Sequence, residues 1–289
     1  MSDHTDGQTA PYRWGFIAAL AVFLLAGLTG ALMRFGAIYG FPWSLEFANL
    51  RHAHSHLMYF GWVTPAIMAL IAAQIPAVSD RPPSSRFSWS ILAVLLAGLL
   101  AYIPFLISGY RPVSVGDRSL PLSVMAAGLN IIGWYLFIWQ YWRELRGAPR
   151  NYPLQLWDSA LIFLIYASFG GWGVAIITRL GVEDPFWSLA FTHMFLDTFS
   201  IGWLTLAILG LAYATHPEAA GSRLARTSIN LVFMGLPVIF LLGMPLHVVP
   251  PSVRWLGALG GLLVALGYLG HIRVLWPVTG RKWRLPLFF

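Results

Sequence analysis

The sequence has no cysteine and few charged residues. None of its 289 residues is Cys, and only 10% are Asp, Glu, Lys or Arg. Without thiols the chain cannot form disulfide bonds, thiolate metal sites, iron–sulfur clusters or c-type haem attachments. Any metal must therefore use His, Met or oxygen ligands. The low charge is atypical of a soluble domain, in which about 25% of residues are charged.

Apolar and aromatic side chains take the place of the missing charges. Hydrophobic residues make up 58% of the chain and aromatic residues 15%, with 14 Trp and a mean hydropathy of +0.69. Trp side chains concentrate at the two membrane–water interfaces. This composition predicts an all-α integral membrane protein whose solvent is the lipid bilayer. The net charge of +7 is scattered over loops rather than gathered in a patch, so we predict no nucleic-acid binding.

The apolar stretches predict how many times the chain crosses the membrane. A helix needs about 20 apolar residues to span the hydrocarbon core. We predict one membrane domain over 1–289, a polytopic bundle of about eight helices, at residues 14–35, 55–75, 89–108, 120–141, 156–177, 187–213, 229–249 and 253–276. Most of the 18 Lys and Arg residues fall on the side that holds both termini, which the positive-inside rule places in the cytoplasm.

Part of the second predicted span is repeated in the sixth. Residues 52–70 align with 193–211 without a gap, and both contain Gly-Trp-x-Thr-x-Ala-Ile-x-x-Leu. We call this pairing the repeat alignment. It predicts two four-helix repeats, over 13–146 and 150–276. Repeats in membrane proteins tend to place binding sites where the two halves meet.

The repeat alignment pairs His52 with His193 and His56 with Asp197. Residues four apart lie on one face of a helix, one turn apart, so each helix is expected to present two ligand-capable side chains. Both helices are predicted to begin on the outer side, which puts the two pairs at one depth in the outer leaflet. Asp197 falls within a predicted span, where an ionisable residue is a functional candidate by default. His247, at the outer end of the seventh predicted span, is a further candidate ligand.

Three histidines occur within five residues: His52, His54 and His56. In a helix His52 and His56 share a face, while His54 points about 200° away, so the two faces serve two sites. In a loop all three converge on one ion. Imidazoles at this density suit haem iron, copper or zinc rather than magnesium or calcium.

Other residues have structural interpretations that stay open. Asp197 can make a packing hydrogen bond to a neighbour such as Asn130. His4, His216 and His271 are expected to be interfacial residues bonded to carbonyl groups or water. The methionines and tryptophans are expected to serve packing and the interface.

At the His-x-His segment and its Gly-Trp helix the chain resembles subunit I of the haem–copper oxidase superfamily, in particular the C-type oxidase and nitric oxide reductase branch. In that family alternating histidines of one helix reach two haems, and four-helix units carry haem ligands on their second helix. The resemblance covers about 25 residues around each of the second and sixth spans; the family's adjacent His-His pair is absent. It implies haem ligation by His52, His54, His56 and His193.

The leading hypothesis is a b-type haem-binding protein of the bacterial inner membrane that transfers electrons or handles a gas such as nitric oxide or oxygen. If it is an enzyme, the resemblance implies an oxidoreductase of the cytochrome oxidase or nitric oxide reductase type. Arg34 and Arg51 are expected to pair with haem propionates. Tyr59 and Asp197 are expected to bond a propionate or a His ring nitrogen.

Two alternatives remain. One is a non-haem copper, zinc or iron site made by His52, His56, His193 and Asp197, as in a membrane hydrolase or a copper-handling protein. The other is a non-catalytic subunit of a respiratory complex, with cytochrome or oxidase subunits, or a second copy of this chain, as partners.

Overall fold

A computed structural model describes residues 10–82 and 84–279. The chain is helical over most of these ranges and divides into two compact units, Met1–Ala148 and Pro149–Phe289. Seven helical segments are long and apolar enough to cross a membrane: Tyr12–Tyr39, Phe47–Ser79, Arg86–Ser108, Leu122–Glu144, Tyr152–Leu180, Pro185–Thr215 and Pro251–Pro277. The predicted all-α, multi-spanning architecture is confirmed at this level. His4, Arg281, Lys282 and Arg284 lie outside the described residues.

The first unit contains five α-helices and a small hairpin. The second membrane segment is continuous from Phe47 to Ser79, but its middle, Leu57–Val63, is π-helical. The elements are α1 (Ala10–Tyr39), a 3-10 turn (Pro42–Ser44), α2 (Phe47–His56), the π-helical turn, α3 (Thr64–Ser79), α4 (Arg86–Ser108), β1 (Val113–Val115), β2 (Arg118–Leu120) and α5 (Leu122–Glu144).

The loop after α4 is fastened to the start of α2. Gly109 has φ of +57°, and its backbone lies against Asn49, whose side chain donates to the carbonyl of Ile107 at 3.1 Å. Arg111 makes a 2.6 Å ion pair with Glu46. These contacts hold the end of α4 beside the histidine-bearing turns of α2.

The second unit forms six α-helices and no strand over its described residues. Its elements are α6 (Tyr152–Leu180), α7 (Pro185–Asp197), a second π-helical turn (Thr198–Leu204), α8 (Thr205–Thr215), a 3-10 turn (Pro217–Ala219), α9 (Arg223–Gly235), a 3-10 turn (Leu236–Val238), α10 (Phe240–Gly243) and α11 (Pro251–Thr279).

The seventh predicted span, residues 229–249, is not one uninterrupted helix. The helix α9 ends at Gly235. A 3-10 turn that contains Pro237 follows, and the short helix α10 then ends at Gly243. Proline has no N–H to donate and its ring crowds the preceding turn. The described residues therefore contain seven candidate spans, where the sequence predicted about eight.

The two units share local features that fall at matched positions. The π-helical turns occupy the same residues in the repeat alignment. Tyr12 of α1 donates to the carbonyl of Ser84 at 2.6 Å, and Tyr152 of α6 donates to that of Ala225 at 2.5 Å. A duplicated four-helix unit predicts such matches, and the duplication stays a prediction.

The matched glycines of the two π-helical turns are also packed alike. A Cβ atom on Gly61 would lie 2.9 Å from Val22 of α1, and one on Gly202 would lie 2.8 Å from Phe163 of α6. Each π-helical turn therefore sits closely against the first helix of its own unit. π-Helical turns are rare and are frequently found at functional sites, and both of these directly follow the candidate ligands.

Candidate functional site

The three clustered histidines lie in a helix, not a loop. α2 begins at Phe47, earlier than the predicted start at residue 55, so His52, His54 and His56 are all helical. His54 contacts α1, whereas His52 and His56 both contact Phe105 of α4. This is the two-faced arrangement that helical periodicity predicts. Convergence of all three imidazoles on one ion is excluded.

His54 is held in one tautomer by the backbone of α1. Its Nδ1 lies 2.9 Å from the carbonyl oxygen of Ala26. A carbonyl only accepts hydrogen bonds, so a neutral imidazole donates from Nδ1 and keeps its lone pair on Nε2. Gly30 leaves room for the His54 ring, since a Cβ atom on residue 30 would lie 3.1 Å from Cε1 of His54.

His56 lies on the opposite face in an aromatic pocket. Its ring stacks on Phe105 with centroids 3.9 Å apart and planes at 23°, and the ring of Phe60 is 4.9 Å away. The residue is only 8% exposed. Nδ1 of His56 is buried and has no hydrogen-bond partner among the described residues. An unpaired buried nitrogen of this kind is costly unless it binds something.

His52 forms the rim of the same pocket, one turn before His56. Its ring meets Tyr110 edge-on at 4.7 Å and lies 6.4 Å from Phe105. Tyr110 belongs to the loop after α4 and is 54% exposed as a residue, and the partial burial of its ring raises the pKa of its phenol. The side chain therefore stays neutral and acts as an apolar wall with one hydroxyl group. We call His52, His56, Phe60, Phe105 and Tyr110 the aromatic pocket.

The two arginines that were predicted to pair with propionates lie near these histidines, and both are exposed. Arg34 is on α1, four residues after Gly30 and hence on the face that receives His54. Arg51 directly precedes His52. Tyr59 is half-buried in the π-helical turn, with its ring 6.1 Å from that of Phe60.

In the second unit His193 and Asp197 form a pair on α7. Nδ1 of His193 is 3.5 Å from Oδ2 of Asp197, and both side chains are about a quarter exposed, at 25% and 27%. Gly243 of α10 lies directly against both side chains, and a Cβ there would be 2.8 Å from the Asp197 carboxylate. The interrupted seventh segment thus brings backbone, rather than a side chain, up to the pair.

His247 is not gathered with this pair. It is exposed in the turn that follows α10. Over residues 10–82 and 84–279, no group of three or more His, Asp or Glu side chains is placed to hold a metal ion. The sequence predicted one site that joins His52 and His56 to His193 and Asp197. These residues belong to two different units, and the joint site stays a prediction.

Two other residues differ from the expectation. His271 is fully buried rather than interfacial: its Nδ1 is 3.1 Å from the hydroxyl of Tyr213, and its Nε2 has no hydrogen-bond partner within the described part of the chain. The position of His271 inside a predicted span was the sequence signal that could have indicated its burial. Asn130, considered as a partner for Asp197, donates instead to the carbonyl of Val94 at 3.1 Å.

Comparison with known proteins does not identify the chain: no family model, no curated protein and no solved structure matches it. The relationship to haem–copper oxidase subunit I therefore stays a prediction that rests on the histidine motif.

Proposed function

We propose that the chain is a b-type haem-binding membrane protein that transfers electrons or handles a diatomic gas. The observation that carries this proposal is the hydrogen bond from Nδ1 of His54 to the carbonyl of Ala26. Histidines that bind metals almost always donate their other ring N–H to a carbonyl or carboxylate, which fixes the tautomer and the ring orientation. The hydrogen bond to Ala26 gives His54 this arrangement.

The available donors suit haem better than a metal ion held by protein alone. Haem iron takes only one or two axial ligands from the protein, whereas zinc takes three or four. His54 on one face of α2 and His56 on the other each offer one imidazole nitrogen for such a role. The rings of Phe60, Phe105 and Tyr110 surround the imidazoles of His56 and His52 with apolar surface.

The second unit offers no imidazole at the position that corresponds to His54. The repeat alignment pairs His54 with Phe195. Where His54 meets a glycine and a backbone carbonyl of α1, the second unit has Gly170 packed against the backbone of α7 at Phe191 and Phe195. The equivalent space is filled by close helix packing and contains no imidazole.

Each residue of the proposed site has a specific task. The Ala26 carbonyl orients His54, and Gly30 leaves space for its ring. The exposed guanidinium groups of Arg34 and Arg51 can neutralise propionate groups through charge-assisted hydrogen bonds. Haem bound here would supply a one-electron redox centre or a binding position for a gas. The protein would control both through ligand identity and pocket polarity.

The pairing of His193 with Asp197 favours one alternative, a non-haem metal centre. A carboxylate 3.5 Å from an imidazole nitrogen is a common way to orient a metal-bound histidine. In that function His193 would bind copper, zinc or iron through its other nitrogen. Asp197 would keep the ring in position.

One measurement tests the proposal and separates it from the alternative. The protein is purified from membranes, and a reduced-minus-oxidised absorption spectrum is recorded together with metal analysis. Bands of b-type haem with equivalent iron are expected. Replacing His54 with Ala should remove these bands, while His216→Ala, which changes a histidine outside the spans, should leave them unchanged. Copper or zinc without a Soret band would overturn the haem proposal in favour of the non-haem centre.

A further inference from the structure

The third and fourth candidate spans, α4 and α5, leave an apolar groove on their shared surface. Its volume is about 820 Å³, and no charged residue lines it. The lining side chains on both helices are exposed at the surface of the unit, so in a membrane they face lipid. The most prominent are Leu96, Leu100, Ile103, Leu129, Ile132 and Leu136.

The floor of the groove is set by a close approach of the two helices. A Cβ on Gly133 of α5 would lie 3.2 Å from a methyl group of Val94 on α4. Asn130 secures the same level by donating to the Val94 carbonyl. Ala93 and Ala97 keep the α4 side shallow. The groove is therefore built into the helix packing and does not depend on the rotamer of one side chain.

The length of the groove matches one leaflet. On α4 it extends from Ala93 to Pro104, which is about 16 Å at a rise of 1.5 Å per residue. The hydrocarbon core of a bilayer is about 30 Å thick. Ala93 lies seven residues, or about 10 Å, beyond Arg86, so an acyl chain whose phosphate lies at Arg86 passes Trp89 and enters the groove at its nearer end.

One end of the groove leads to a positively charged surface. The groove face of α4 continues one and two turns back to Trp89 and Arg86, and that of α5 continues to Trp139 and Arg143. The guanidinium of Arg143 lies 4.3 Å from the Trp139 ring. Arg86 and Arg143 share the carboxylate of Glu144, at 3.7 and 3.3 Å, which leaves one positive charge uncompensated.

Further positive charge lies beside this end. Arg81 donates to the backbone carbonyl of Arg146 at 3.2 Å, and neither guanidinium forms an ion pair with a described carboxylate. Trp89 is 74% exposed and Trp139 is 56% exposed. Exposed tryptophans beside arginines are typical of the headgroup level of a membrane. The apolar groove and the basic end therefore form one amphipathic surface.

We propose that this surface is a binding site for an anionic phospholipid of the bilayer. One acyl chain occupies the groove between α4 and α5, and the phosphate group contacts Arg86 and Arg143. Guanidinium groups bind phosphate in a bidentate manner, and basic residues near an anionic membrane surface attract its headgroups. The site lies entirely within the first unit and does not depend on the proposed haem.

The proposal is tested by measuring which lipids stay on the protein. The full chain is reconstituted in nanodiscs with equal amounts of phosphatidylglycerol and phosphatidylcholine, then extracted mildly and examined by native mass spectrometry. Selective retention of about one phosphatidylglycerol is expected. The double variant Arg86→Gln/Arg143→Gln should lower that retention at least about fivefold. Arg118→Gln, which removes an exposed arginine of the hairpin, should leave it unchanged.

A second variant tests the groove itself. Ala93→Phe places a ring in the groove from a half-buried, lipid-facing position, so it should lower retention without removing charge. Equal retention of the two lipids by the unaltered protein would overturn the proposal. So would recovery of a dimer that Ala93→Phe dissociates and that carries no lipid, because the groove would then bind a second copy of the chain.

Discussion

Replacing His54 with Phe is the most direct test of the reasoning about α2. The second unit has Phe195 at the position that the repeat alignment assigns to His54, and the backbone and Cβ of Phe195 lie against Gly170 of α6. Phenylalanine keeps a planar ring of similar size but has no nitrogen. His54→Phe therefore removes the donor to Ala26 and the proposed iron ligand, while it keeps a ring in the space beside Gly30.

The expected cost to stability is small. The substitution deletes one hydrogen bond, between Nδ1 of His54 and a carbonyl 2.9 Å away. Hydrogen bonds between membrane helices contribute about 0.6 kcal/mol on average and at most about 1.7 kcal/mol. The Ala26 carbonyl keeps its partner within α1, so no acceptor is left without a hydrogen bond. We expect the free energy of unfolding to fall by less than about 1.5 kcal/mol, with the helix content unchanged.

The expected effect on haem is much larger, because loss of an axial ligand removes the bond that holds the iron. Haem content is measured by the pyridine haemochrome method and stability by unfolding in mixed detergent. His216→Phe serves as the control, since His216 pairs with Glu218 outside the spans. A folded His54→Phe protein with full haem and unshifted bands would refute the assignment of His54. A protein that fails to fold would refute the packing argument instead.

Three other perturbations follow from the structure. Asp197→Asn should lower the metal or haem occupancy at His193 about tenfold, because it weakens the partner that orients the His193 ring. Metal analysis measures this occupancy, and an unchanged value would mean that Asp197 serves only packing. His271→Phe should destabilise the protein by about 1 to 3 kcal/mol, since it strips the buried Tyr213 hydroxyl of its partner; an unfolding curve like that of the unaltered protein would contradict this. The raised pKa of Tyr110 means that its contribution to stability is complete below about pH 10 and is lost as the pH rises further. Tyr110→Phe should therefore reduce the loss of stability above pH 10 in a pH series of unfolding midpoints, and an identical alkaline loss would show that other groups cause it.

The membrane architecture could be predicted from the sequence because it depends on sums over local windows. About 20 apolar residues in a row identify a span wherever their contacts lie, and seven of the eight predicted spans correspond to continuous helical segments in which only the ends differ. The separation of His54 from His52 and His56 was predicted for the case that the segment is helical, because it follows from helical periodicity. The seventh span was predicted wrongly as one continuous segment, because hydropathy alone does not register the proline and glycine, Pro237 and Gly243, at which the helix is interrupted.

The sequence by itself therefore determined that this is a multi-spanning helical protein, and it left open whether its three clustered histidines lie in a helix or in a loop. Only the tertiary structure decided what those imidazoles meet. The carbonyl that orients His54 is 28 residues away, and the hydroxyl that binds the buried His271 is 58 residues away. Partners at such separations are brought together by helix packing, in which small residues such as Gly30 allow close approach. Hydropathy and periodicity measure only neighbours along the chain, so the choice of partner is fixed when the helices pack.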